Sequence, residues 1–132
     1  MSRKILFVDD ESSILALLEE AFAGKGYEVF LASDGEAALE LLEETLISVV
    51  LTDINMPGIS GVQLCQQIRE YDQISVVIGM TGYSSFFQLT DCREAGFDDY
   101  IKKPFVLDEL YKVVEASFDK LERWEELFKN EI

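Results

Sequence analysis

Ile47-Ser48-Val49-Val50-Leu51-Thr52-Asp53 is the stretch on which the fold turns. Its apolar, largely β-branched run reads as a strand buried in a sheet, and it ends on an acid. The loop that follows, Ile54 to Ser60, carries Pro57-Gly58 and leads into a helix through about Glu70. Strand, loop and helix form a unit that recurs in both directions. Upstream, Ile5 to Val8 is a strand followed by a helix from Ser13 through Lys25, with Ile14, Leu17, Leu18 and Phe22 at helical spacing. Glu28 to Ala32 is the next strand, and Ser33 or Asp34 caps a helix containing Ala37, Ala38, Leu41 and Leu42. Downstream, Ser75 to Met80 is a fourth strand and about Ser85 to Ala95 a helix stopped by Gly96. Tyr100-Ile101-Lys102 is a short fifth strand, and Lys103-Pro104 breaks it before a last helix from Leu107. Strands alternating with helices need crossover connections, so the chain is expected to be α/β, a doubly wound parallel sheet with helices on both faces.

Length and composition agree with one such domain. The chain has 132 residues, 48% of them hydrophobic, enough to bury about two-thirds of the unfolded surface. Twenty-six acids against 11 bases give a formal charge of −15, so the chain lacks the basic footprint of a nucleic-acid binder. No apolar run approaches the ~18 residues of a membrane span, and the apolar stretch after Lys4 is too short for a signal-peptide core. A cytoplasmic location is expected. Histidine is absent, which excludes a Ser-His-Asp triad, a His-containing metal site and a phosphohistidine within this chain. Cys65 and Cys92 form no C-x-x-C motif and read as small apolar residues on helices.

In open parallel sheets, ligands collect outside the carboxyl ends of the strands. Here strand one ends in Asp9-Asp10, strand three in Asp53, strand four in Thr81 and strand five in Lys103. Residues far apart in sequence would thus meet at one edge. Three neighbouring carboxylates repel one another, and oxygen ligands with retained waters favour Mg²⁺ over softer metals. A carboxylate is a competent nucleophile in phosphoryl transfer, where catalysis rests on positioning and charge stabilisation. Ionised Asp9, Asp10 and Asp53 carry −3, which Mg²⁺ and Lys103 cancel. A phosphoryl group on Asp53 then adds only about one further negative charge, within reach of the Thr81 hydroxyl and backbone N–H groups.

Phe7-Val8-Asp9-Asp10-Glu11, Leu51-Thr52-Asp53-Ile54-Asn55-Met56-Pro57-Gly58, Met80-Thr81-Gly82 and Lys102-Lys103-Pro104 resemble the motifs of the receiver domains of two-component response regulators. The resemblance covers residues from about 3 to 118, in order and at suitable spacing. It implies a flavodoxin-like sheet of strand order 2-1-3-4-5 and an Asp53 phosphorylated by a histidine kinase or phosphotransfer protein. It further implies Mg²⁺ held by Asp10, assisted by Asp9, with Asp53 and the Asn55 backbone carbonyl. Thr81 and Lys103 would contact the phosphoryl oxygens, and Thr81 and Tyr100 would form the switch pair. Such a domain catalyses its own phosphoryl transfer and slow dephosphorylation without being an enzyme in the ordinary sense.

Two other readings compete with this one. A receiver-like interaction module working without phosphorylation would not need the intact acidic set. An Mg²⁺-dependent phosphatase of the haloacid-dehalogenase type also uses an aspartate nucleophile, but its first strand would end in D-x-D, which Asp9-Asp10-Glu11 does not match. Neither phosphate-cradling glycine motif occurs.

Residues 1–118 read as the receiver domain and 119–132 as an extension of the last helix. That helix would run about 35 Å from Leu107 to about Lys129. Leu107, Leu110, Val114, Leu121, Trp124 and Phe128 fall on three- and four-residue steps interrupted by Ser117, a coiled-coil-like seam. It suggests either packing on the domain itself or, as the favoured expectation, a homodimer or a link to an output domain.

Overall fold

The computed structural model describes residues 3–82 and 86–130. In chain order its elements are β1 (Arg3–Val8), α1 (Ser12–Phe22), β2 (Tyr27–Ala32), α2 (Gly35–Glu44), β3 (Val49–Asp53), α3 (Gly61–Tyr71), β4 (Val76–Thr81), α4 (Phe86–Ala95), β5 (Asp99–Lys102) and α5 (Leu107–Asn130). All neighbouring strands pair in parallel, in the order β2-β1-β3-β4-β5. The alternation of elements led to a doubly wound parallel sheet, and this flavodoxin-like strand order is the one the receiver-domain resemblance implied. Helix α1 stops at Phe22, short of Lys25, where Gly24 turns the chain at φ +71°. Strand β3 begins at Val49 rather than Ile47, although Ile47 stays buried. The expected helix start at Ser85 lies outside the described residues.

Period-two alternation sorts the strand side chains onto two faces. Ile5, Phe7, Val49, Leu51, Ile78 and Met80 face one core, closed by Leu18 and Phe22 of α1 and by Leu110, Val114 and Phe118 of α5. Leu6, Val8, Val50 and Val77 face the other, closed by Ala38 of α2, by Leu64, Cys65 and Ile68 of α3, and by Ala95 of α4. Every residue of β3 and β4 is buried, which explains why those strands are almost continuously apolar.

Local signals hold the helices in place. Asp34 caps α2 by accepting from the Ala37 N–H at 2.8 Å. Ser60 and Gln63 close a capping box at the start of α3. The apolar stripe of α5 is used by its own domain as far as Leu121, which is 6% exposed. Arg3, at the start of β1, ties α5 down through Glu115 at 2.6 Å and Glu122 at 3.1 Å. Beyond Leu121 the stripe leaves the core, and Trp124, Leu127 and Phe128 are about half exposed.

Candidate functional site at the carboxyl edge of the sheet

The sheet brings the four expected strand ends together. β1 delivers Asp9 and Asp10, β3 ends at Asp53 and β4 at Thr81, and Lys103 follows β5 directly. One carboxylate oxygen each of Asp9, Asp10 and Asp53 lies within 4.8 Å of the other two. The acids differ in surroundings. Asp9 is fully buried and Asp53 nearly so, while Asp10 is exposed. Asp9 Oδ1 accepts from the Glu11 N–H at 2.9 Å, and its Oδ2 takes the Lys103 ammonium at 2.7 Å. Lys103 Nζ also stands 3.6 Å from Asp53 Oδ1, so a single cation is shared by two buried carboxylates. The Lys103-Pro104 peptide bond is cis.

Burial dominates the electrostatics at Asp53 and pushes its pKa up to about 6. Lys103 pulls it down, Asp9 and Asp10 push it up, and a hydrogen bond from the Asn55 backbone N–H lowers it. At Lys103, burial works against the charge, but the bond to Asp9 and the fields of Asp53 and Asp9 prevail and the pKa is raised. Three oxygen-donor acids with one ammonium between them suit a hard divalent cation that keeps part of its water.

Around this cluster, Thr81 is fully buried, and its hydroxyl accepts a hydrogen bond from Asn55 Nδ2 at 3.0 Å. The Lys103 N–H donates to the Thr81 carbonyl at 2.8 Å, carrying the β4–β5 ladder up to the site. Tyr100 is half-buried and pairs in register with Gly79. A cleft of about 410 Å³ opens beside it, lined by Ile54, Gly79, Cys92, Arg93 and Phe97 among others.

Two glycines that the motifs did not single out help to fix Asp53. A Cβ on Gly61 would lie 2.2 Å from the Asp53 carbonyl oxygen and 2.7 Å from Ile54 Cα. Helix α3 can therefore begin against the backbone of Asp53 only because that residue has no side chain. A Cβ on Gly79 would meet Ile54 Cδ1 at 2.8 Å, so Ile54 lies flat across β4. An isolated glycine inside a strand pattern is a sequence sign of such close approach, and Gly79 within Val76–Thr81 carried it.

The parallel sheet and its acid–lysine–threonine edge define a receiver domain, and the comparisons with known proteins agree. Residues 5–115 match the family model described as the response regulator receiver domain, and the chain belongs to that family of two-component signalling domains. It is 41% identical over 126 residues to the uncharacterized transcriptional regulatory protein YrkP of Bacillus subtilis (strain 168), covering 96% of this chain and 54% of that protein. It is 36% identical over 116 residues to the alkaline phosphatase synthesis transcriptional regulatory protein PhoP of the same organism, covering 88% of this chain and 48% of that one. Among solved structures, a response regulator receiver domain protein (CheY-like) from Methanospirillum hungatei JF-1 superposes with a TM-score of 0.89 at 28% identity. The match covers 93% of this chain and 98% of that one. The chain thus spans about half the length of the curated relatives it matches here. Among the described residues, no helix is long and apolar enough to cross a membrane.

Proposed function

We propose that the domain accepts a phosphoryl group on the Asp53 carboxylate from a phosphohistidine donor, a histidine kinase or phosphotransfer protein, and that this event switches its partner surface. The observation that carries the reading is the shared Lys103 ammonium, 2.7 Å from Asp9 and 3.6 Å from Asp53. A cation placed between a buried structural acid and the acceptor can turn to new negative charge without travelling far. Asp53 offers the nucleophilic oxygen, and its neighbours supply positioning and charge stabilisation. Lys103 and the Thr81 hydroxyl stabilise the phosphoryl oxygens. Asp9, Asp10 and Asp53, with the Asn55 carbonyl, would hold Mg²⁺, which when bound supplies the positive charge that offsets the carboxylates and the transferring group. Thr81 and Tyr100 then form the two-state element, biased by contacts made only in the phosphorylated form.

The acidic set also supports phosphorylation over a purely structural module, because burying Asp9 and Asp53 together is unfavourable without a use for the charge. Association of two copies through the α5 extension draws on a shorter surface than the sequence stripe offers. Leu110, Val114 and Leu121 are committed to the core, which leaves Trp124, Leu127 and Phe128. Incubation with acetyl phosphate and Mg²⁺ should add one phosphoryl group by intact mass, and Asp53→Asn should abolish it. Uptake that persists in that variant rejects the assignment.

A further inference from the structure

In the sequence, Asn55 enters the site only through its backbone carbonyl. In the structure its side chain reaches another member of the site: Nδ2 donates to Thr81 Oγ1 at 3.0 Å. We propose that Asn55 is a positioning residue for phosphoryl transfer. Its amide orients the Thr81 hydroxyl so that the hydroxyl proton is presented to the phosphoryl oxygens on Asp53. The proposal rests on the reading that Asp53 accepts the phosphoryl group and Thr81 contacts it.

The polarity of the hydrogen bonds at the Thr81 hydroxyl carries this role. A hydroxyl has one proton to give and two lone pairs with which to accept. An amide N–H that donates into one lone pair leaves the proton to be given elsewhere. It also polarises the O–H, which strengthens the bond that the hydroxyl donates. Thr81 is wholly buried, whereas Asn55 is exposed on the loop after β3, so the amide reaches inward from the solvent side. An exposed loop side chain contributes little to packing, so its removal should leave the fold intact. In transfer from acetyl phosphate, a bond forms between an Asp53 carboxylate oxygen and phosphorus. The bond from phosphorus to the acetyl oxygen breaks, and acetate leaves with the electron pair. Charge spreads over the three equatorial oxygens, and there the proton of Thr81 is used.

The test is a double-mutant cycle on the full chain with acetyl phosphate and saturating Mg²⁺, following the rate of phosphoryl uptake by intact mass. Asn55→Ala should slow uptake roughly tenfold, the order seen when an outer hydrogen bond that orients a site group is lost. The same substitution in a Thr81→Val background should cause no further slowing, because the hydroxyl it orients is gone. Unfolding midpoints of all four proteins establish that the fold persists. Equal slowing in both backgrounds overturns the proposal, since Asn55 would then act through the loop or the metal. An unchanged rate for Asn55→Ala also overturns it. Absence of uptake by the unaltered chain is a different result: it rejects the assignment of Asp53 and takes this proposal down with it.

Discussion

The two ends of the sheet depart from ordinary packing in opposite ways. At the carboxyl ends, Asp9, Asp53 and Thr81 are buried where apolar residues would normally lie. At the amino ends, Leu46, Tyr71 and Ile74 are exposed where polar residues would normally lie. The α5 extension continues that second surface, since Trp124 and Phe128 line a groove of about 300 Å³ with Gln73 and Ile74. A buried charge is costly unless it is paired, whereas an exposed apolar side chain costs the fold almost nothing. The upper end therefore holds energy that a ligand or a covalent group can release, and the lower end holds area that another surface can cover. The proposed function places chemistry at the first, and the second offers a surface on which association can be tested.

The largest effect should come from removing the cation at the upper end. Lys103→Ala leaves the Asp9 carboxylate buried without its partner, and should cost about 3–5 kcal/mol in metal-free urea denaturation. Added Mg²⁺ should recover part of that loss. A cost below about 1 kcal/mol would remove the distinction between the two ends.

The next effect is a pH dependence. The folded pKa of Asp53 is raised to about 6, so the folded state holds its proton more tightly than the unfolded chain does. That contribution is complete below the ordinary aspartate range and is lost as pH rises through about 6, with a total of roughly 3 kcal/mol. Asp53→Asn should remove it. In metal-free buffer the variant should gain stability relative to the parent between pH 4 and pH 7, and a constant difference across that window would contradict the burial argument.

The smallest effect belongs to the lower end. Trp124→Ala with Phe128→Ala should shift the free energy of unfolding by less than about 0.5 kcal/mol, the range for surface changes away from the core. If α5 joins two copies, light scattering gives twice the chain mass for the intact protein and the chain mass for the variant. Chain mass for both removes that role.

Much of this was legible in the sequence, for identifiable reasons. Buried parallel strands are apolar on both faces, so Val49–Leu51 and Val76–Ile78 announced themselves and set the order of elements. The four strand ends were visible because Asp9, Asp53 and Thr81 close largely apolar runs and Lys103-Pro104 breaks the short fifth strand. Distances between elements were not legible. Nothing in the chain shows that Lys103 bonds Asp9 more closely than Asp53, or that the Asn55 amide meets Thr81, since these depend on rotamers set by the finished fold. Gly61 carried a weak signal because glycine also occurs at helix starts for other reasons. The α5 stripe is ambiguous in sequence: the spacing of Leu110, Val114 and Leu121 suits a helix lying on its own sheet as well as one lying on a second helix, and the fold uses these three in the first way.

The amide of Lys103 donates to the carbonyl of Thr81, and this bond joins the two residues that the proposed function sets on the phosphoryl oxygens. Thr81 pairs in register with Lys102, and the Lys103 bond continues the ladder just past that pair, so the two strand ends are held together. Under the proposed function, a shift of Thr81 toward a phosphoryl group would be carried through this bond to the strand end that bears Lys103 and, three residues back, Tyr100. Such a ratchet does not need a signal to pass from residue to residue; one rigid corner of the sheet changes its seat.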